Sequence, residues 1–191
     1  MPKRKGEINV ILETRRLILR PWEETDAEEL YRHAKDPMIG PAAGWPPHTS
    51  VEDSLGIIRN IFFDEYTFAV VPKAVSKAVG CVRIMRGAAG TAHKQEDEAE
   101  IGYWIGRQYW GQGLIPEAVR ELLRVCFEEL SCSGVWCGYY EGNDKSRRVQ
   151  EKCGFVPHHK EENVPCEKMG DVRNEYFTYM DTERWMQIYR T

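Results

Sequence analysis

The chain has 191 residues, 42% of them hydrophobic and 29% charged, with a formal net charge of -4. That length suits one domain, residues 1–191, with interior enough for a sizeable core, and the acidic balance argues against the basic face of a nucleic-acid binder. No apolar run approaches membrane-spanning length, and the basic start from Met1 to Gly6 is not followed by the apolar stretch of a signal peptide, so a cytoplasmic protein with no membrane or nucleic-acid partner is expected.

Arg16 to Arg20 predicts a first strand, and Thr25-x-x-Glu28 a capping box for a helix running to about Lys35. Asp36 to His48 carries four prolines and two glycines and predicts a loop. Thr49-x-x-Glu52 caps a second helix with Leu55, Ile58, Ile61 and Phe62 on one face. Tyr66 to Val71 and Ala78 to Arg86 read as strands, Gly87 to Asp97 as a polar, mobile loop, and Glu98 to Ile105 as the central strand. After Gly113 comes a long amphipathic helix with Ile115, Ala118, Val119, Leu122, Leu123 and Cys126 on one stripe and Pro116 in its first turn. Gly134 to Tyr140 is the next strand, and a helix opens at Asn143. Phe155–His159 and Arg173–Asp181 pair as a late hairpin before a short helix around Trp185. The pattern is mixed α/β (α+β), with a largely antiparallel sheet.

The six cysteines show no C-x-x-C pair and no histidine at ligand spacing. They read as reduced, mostly buried thiols, with no metal site.

The most informative stretch runs from Glu100 to Ala118: an apolar strand, a turn containing Gly111 and Gly113, then the long helix. A glycine-rich turn opening a helix gathers backbone N–H groups into one concavity at the positive end of the helix dipole, an anion site. A Cβ there would hold a phosphate away from the backbone. No Lys-Ser/Thr pair follows Gly113, which excludes a nucleotide-triphosphate loop, and the third glycine of a dinucleotide fingerprint is replaced by Pro116.

Gln108-x-x-Gly111-x-Gly113 resembles the pyrophosphate-binding signature of the GNAT superfamily of N-acetyltransferases. Asn143-Asp-Lys-Ser146 through Gly154-Phe155 is similar to the fourth-helix region of that superfamily, in the form found in its RimJ/RimL-type branch. Thr14-Arg-Arg-Leu17 through Pro21-Trp22, Asp26 and Glu100-Ile-Gly-Tyr-Trp104 resemble the same branch, so the likeness spans about residues 11–188.

The resemblance implies a GNAT-type acyl-CoA N-acyltransferase fold, acetyl-CoA as cosubstrate, an amine acceptor, and a monomer or homodimer. It implies that the strands ending at Ile105 and Tyr140 splay where the pantetheine arm enters, with backbone groups of Trp104 and Ile105 pairing with it. Gln108, Tyr109, Trp110, Gly111, Gln112, Gly113 and Leu114 would hold the pyrophosphate, and Asn143 would contact the arm near the reacting end. The tyrosine that many GNAT enzymes use to protonate the leaving thiolate is Gln150 here, so the acid passes to Ser146, with Tyr139 and Tyr140 as fallbacks. Glu100 is the candidate base, with a sheet-rim structural role as its alternative. Trp45 and Trp22 are candidates for the acceptor wall, and Arg147 or Arg148 for the CoA phosphates. His158 and His159 read as exposed strand residues.

The acceptor implied is a primary amine. An α-amine of pKa near ~7.8 is roughly one-tenth neutral at pH 7, against well under ~0.1% for a lysine, which favours a peptide N-terminus. A small amine such as a polyamine, amino acid or aminoglycoside stays open, as does a non-catalytic CoA-binding module.

Overall fold

The computed structural model of the protein describes residues 10–190 apart from 88 and 93, so the basic start lies outside the described residues. Its frame is an eight-stranded sheet made of β1 (Leu12–Glu13), β2 (Leu17–Pro21), β3 (Thr67–Pro72), β4 (Gly80–Arg86), β5 (Glu98–Ile105), β6 (Gly134–Tyr140), β7 (Val156–Cys166) and β8 (Asp171–Asp181). The spatial order is β1-β2-β3-β4-β5-β6-β8-β7. Neighbours are antiparallel throughout, save the parallel pair β5–β6. Five helices flank it: α1 (Ala27–Ala34), α2 (Val51–Ile57), α3 (Leu114–Arg124), α4 (Asp144–Lys152) and α5 (Thr182–Tyr189). This is the mixed, mostly antiparallel α/β fold that the periodicities predict.

The stripe of α3 is buried along its whole length, and with Leu17, Phe68, Val82, Ile101 and Met180 it forms the larger core. The opposite face carries a smaller core in which Leu30 and Ala34 of α1 and Ile58, just after α2, pack on Ala69, Val71 and Cys81. The two helices that hold the smaller core start differently from the sequence expectation. Glu23 and Asp26 form the capping box ahead of α1, where Thr25 and Glu28 were expected. Asp26 is the residue held in place, because Arg20 grips its carboxylate through two nitrogens at 2.7 and 2.8 Å. Ser50, not Thr49, caps α2 by accepting the Asp53 N–H at 3.1 Å.

Two strands differ in extent. β1 is too short for any alternation to announce it. β7 runs on to Cys166, well past His159, through a polar sequence with prolines at 157 and 165. It is the outermost strand on its side of the sheet and carries irregularities between Pro157 and His159 and between Glu161 and Val164. Edge position and bulges are what permit prolines and charges in a strand.

The feature that positions the site is the β5–β6 junction. Its registered pairs are Glu98–Gly134, Ala99–Val135 and Glu100–Trp136, and there they stop. Beyond them β5 continues paired to β4 as far as Ile105, and β6 continues paired to β8 as far as Tyr140. The sheet therefore opens into a wedge at its centre.

All six cysteines are buried free thiols. Burial pushes the thiols of Cys81 and Cys153 up to about 12, which removes both as nucleophiles near neutral pH. Among the described residues no helix is long and apolar enough to cross a membrane, and no cluster of side chains is arranged to hold a metal.

Candidate active site

A cleft of about 2160 Å³ follows the wedge from the turn before α3 to the loop after α1. At one end Gly111 and Gly113 sit at φ 74° and 73°, the left-handed region that favours glycine. Among the described residues, the amides of Gly111, Gln112 and Gly113 make no backbone hydrogen bond. The carbonyls of Gln112 and Gly113 are clasped. Arg16 donates to the carbonyls of Gln112 at 2.9 Å and Gly113 at 3.1 Å, while its Nε pairs with Glu117 at 2.6 Å. Burial opposes ionisation of Glu117, but hydrogen bonds from Thr14 and Arg16 outweigh it and lower its pKa. Arg16 was not singled out from the sequence, and it is the brace of the turn.

Gln108, Tyr109 and Trp110 build the approach to this nest. The Gln108 carbonyl accepts from the Gln112 side-chain Nε2 at 2.9 Å, and Tyr109 meets His33 edge-on. Lys145, Arg148 and Lys152 of α4 line the cleft with Gly111 and Gly113. Lys145 lies 4.4 Å from the Trp110 ring centre. Arg147 instead pairs with Asp144 and Glu151. Open amides, a helix N-terminus and cations that make no ion pair among the described residues, on one cleft, fit a diphosphate.

The wedge corrects one expectation. The Gly106 N–H bonds to the Val79 carbonyl at 2.8 Å, and bonded pairs in an antiparallel ladder recur at every second residue. The Trp104 backbone therefore faces Cys81 on β4, and it is Tyr103 and Ile105 whose backbone faces the gap. The Ile105 carbonyl is already taken by the Trp110 indole at 3.0 Å. Across the gap, the Gly138 carbonyl accepts from Gln150 at 3.0 Å.

Alternation along β5 puts Tyr103 on the face of α3 and α4, and Glu100, Gly102 and Trp104 on the other. On the first face Ser146 is organised by two neighbours. The Tyr103 hydroxyl lies 2.9 Å from Ser146 Oγ, and Gln150 Nε2 donates to the same oxygen at 3.2 Å. The orientation of Gln150 is enforced, because its Nε2 faces the Gly138 carbonyl, which can only accept, and its Oε1 accepts from Thr178 at 2.8 Å. Gln150 cannot supply a proton, but it donates to Ser146 Oγ, and the Tyr103 hydroxyl lies within hydrogen-bond reach of both that oxygen and the Ser146 carbonyl at 3.1 Å, so the two fix the serine hydroxyl at the cleft. Burial drives the Tyr103 pKa well up, so its phenol stays protonated. Tyr139 stacks on Tyr176 and Tyr140 points to Cys166, so neither fallback joins this group. Tyr103 was missed because a strand tyrosine reads as packing; its place beside Gly102 in the central strand was the available signal.

Asn143 has a structural role that is visible. Its Oδ1 accepts the Ser146 N–H at 3.2 Å, capping α4, and its Nδ2 donates to the Ala42 carbonyl at 3.0 Å. It thus ties the helix of Ser146 to the loop after α1. Asn143→Ala is expected to cost about 1 kcal/mol in urea unfolding, the ordinary worth of such a cap.

On the second face Glu100 is fully engaged. It is 4% exposed and accepts from Thr91 N at 2.8 Å, Ala92 N at 2.9 Å and Thr91 Oγ1 at 3.1 Å, with Lys94 Nζ at 3.7 Å. Gly90 folds so closely over it that a Cβ would meet Glu100 Oε2. This carboxylate pins the 89–92 loop, which the sequence suggested was mobile, and the rim alternative describes it better than the free base expected of it. Beside it stands a carboxyl the sequence did not single out. Glu175 of β8 is buried, and burial, with the charges of Glu100 and Glu161, raises its pKa to about 7 against the pull of a Thr91 hydrogen bond. A polar residue in a late strand carries no local mark of such a role.

Trp45 lines the cleft, edge-on to Trp104 at 5.8 Å and beside His48 at 5.3 Å. Trp22 does not. It is 2% exposed and packed on Phe62 and Trp104 inside the smaller core, so it is a buried anchor and not part of the acceptor wall. His158 and His159 pack on Trp136, and neither lines the cleft.

With this geometry in view, residues 16–156 match the family model for the acetyltransferase (GNAT) domain. The chain belongs to the GNAT acetyltransferase family. Within it, this GNAT enzyme is of RimJ/RimL type, an acetyl-CoA-dependent N-acetyltransferase. It is 46% identical over 59 residues to the "Putative ribosomal N-acetyltransferase YdaF" of Bacillus subtilis (strain 168), a match spanning 31% of the chain and 32% of that protein. It is 28% identical over 149 residues to the uncharacterized N-acetyltransferase p20 of Bacillus licheniformis, spanning 75% of the chain and 81% of that protein. Its fold also matches the microcin C7 self-immunity acetyltransferase MccE, solved in complex with acetyl-CoA and AMP. That match has a TM-score of 0.71 and 20% identity, over 88% of this chain and 93% of that one.

Proposed function

We propose that this GNAT enzyme moves an acetyl group directly from acetyl-CoA to the α-amino group of a peptide or protein N-terminus. The observation that carries this is the wedge itself, with Ser146 on one face of the sheet and buried carboxyls on the other, meeting at the same opening. Acetyl-CoA supplies an acyl group that is already activated, so no covalent enzyme intermediate is needed.

The chain's own residues divide the remaining work. The amides of Gly111, Gln112, Gly113 and Leu114 bind the diphosphate, with Arg16 holding the carbonyls of Gln112 and Gly113 and Lys145, Arg148 and Lys152 adding positive charge. Backbone edges of Tyr103 and Gly138 flank the pantetheine arm. Ser146 provides the proton for the departing sulfur, with Tyr103 and Gln150 fixing its hydroxyl. Trp45 forms the wall against which the acceptor lies.

A peptide acceptor is supported by two points. YdaF carries a ribosomal N-acetyltransferase name. The fraction of α-amine that is neutral at pH 7, far above that of lysine, demands less of the enzyme.

The test is thiol release from acetyl-CoA with a panel of peptides bearing free N-termini, their N-acetylated controls, and small amines. Turnover confined to free N-termini is the expected result. Turnover confined to small amines would move the acceptor class, and tight CoA binding without turnover on any amine would leave a binding module. Trp45→Ala is expected to raise the acceptor KM about tenfold while kcat and CoA affinity hold, the pattern of lost acceptor binding.

A further inference from the structure

We infer that Glu175 takes the proton from the attacking amine; this rests on the acetyltransferase function proposed above and adds a residue to it. Glu175 lies opposite Tyr140 on the β6–β8 ladder and reaches back over Gly138, where an added Cβ would stand 2.7 Å from its Oε1. Gly138 is thus the space that admits this carboxyl to the wedge. Glu175 is 5% exposed and lines the cleft. Its Oε1 accepts from Thr91 Oγ1 at 3.1 Å, while its Oε2 is buried with no hydrogen-bond partner among the described residues.

Leaving a buried carboxyl oxygen without a donor is costly, and a proton is the simplest group that relieves it. Glu100 offers no such vacancy, since three donors and Lys94 already surround it. The two carboxyls lie either side of the Thr91 hydroxyl, whose one hydrogen serves one of them at a time, so they sit on one face of the sheet. The charged and titratable groups around Glu175 are Glu100 on β5, Cys137 and Tyr140 on β6, Glu161 on β7, Arg173 on its own strand and Lys94 from the loop. Arg173 pairs with Asp171 at 2.7 Å and Lys94 with Glu100, so neither cation neutralises Glu175. Burial and the two neighbouring carboxylates hold its pKa at about 7, close to that of the amine it would serve.

The step balances as a simple transfer. The amine nitrogen bonds to the acyl carbon and the carbon–sulfur bond breaks. The nitrogen gives one proton to Glu175, directly or through one water, and the sulfur receives one from Ser146. Glu175 then releases its proton to solvent and Ser146 recovers one, leaving an amide and a free thiol.

The experiment compares wild type, Glu175→Gln and Thr91→Val, using acetyl-CoA and an accepted peptide. Glu175→Gln keeps the shape and is expected to lower kcat/KM about 100-fold at pH 8, to erase the limb near pH 7 and to leave CoA affinity within twofold. Thr91→Val, which removes a hydrogen bond favouring the carboxylate, is expected to move that limb to higher pH.

A second readout needs no turnover. A carboxyl whose folded-state pKa is raised holds its proton more tightly in the folded chain. Its ionisation therefore weakens the fold as pH rises from about 4.5 through about 7. The Tm of Glu175→Gln relative to wild type should accordingly climb between pH 5 and pH 8. A variant rate within threefold of wild type overturns the inference, and so does a flat Tm difference. Absence of wild-type turnover on any amine would overturn the acetyltransferase function along with it, whereas an active wild type with an unaffected variant overturns this assignment alone.

Discussion

Gly113→Val is expected to weaken coenzyme A binding at least 100-fold, measured by calorimetry on the folded variant. Gly113 sits at φ 73° immediately before α3, and a left-handed conformation costs an L-residue roughly 1–2 kcal/mol, more when the side chain is β-branched. Valine there either carries that strain or turns the peptide planes back toward a right-handed conformation, which swings the amides out of the nest. The surrounding protein does not forbid the side chain: an added Cβ would meet Arg16 Nη2 at 3.6 Å, an ordinary contact. The variant should therefore fold, and its loss should fall on ligand binding. At about 1.4 kcal/mol per tenfold, 100-fold corresponds to ~2.8 kcal/mol, the scale of losing charge-assisted hydrogen bonds to a phosphate. Gly113→Ala should give an intermediate loss. Normal binding by a folded valine variant would show that the diphosphate does not rest on these amides.

Ser146→Ala is expected to lower kcat about 100-fold and to leave CoA affinity within twofold. The hydroxyl is aligned by Tyr103 and Gln150, and Gln150 is held in turn by Gly138 and Thr178. Each of those partners lies on a different element, so the serine is oriented by the sheet and not by α4 alone. Removing the hydroxyl takes away a proton donor and little binding surface, so the loss belongs in the chemical step. Tyr103→Phe should lower kcat by about tenfold, because Gln150 still holds the serine while one hydrogen bond is lost. Pre-steady-state thiol release, separated from product release, reads this directly. An unchanged chemical step in Ser146→Ala would remove Ser146 from proton delivery.

The parts of the site that were legible share a physical cause. Gly111 and Gly113 can be read because a backbone conformation required them, and few residues substitute for glycine there. The α3 stripe can be read because burial on one face imposes a period, and the structure buries every residue of it. Asn143 announces a helix start whether or not a ligand is near. Trp22 shows the limit of such signals: an indole just after a strand is equally at home in a site or in a core, and only packing against Phe62 and Trp104 decided between them. Glu100 shows another limit, since its exposure and partners depend on a loop whose own sequence contains no regular pattern.

The amino-acid order alone determined most of the elements, the glycine turn ahead of α3 and the helix that carries Ser146, because each depends on local periodicity or on a backbone angle set within a few residues. Only the tertiary structure decided which groups act together. Tyr103 meets Ser146 across 43 positions, and Thr91 meets Glu175 across 84. Contacts at that separation arise from how β5 and β6 part and which faces their side chains take. A carboxyl acquires its proton affinity from the dielectric and charges around it, and those are assembled only when the chain has closed on itself.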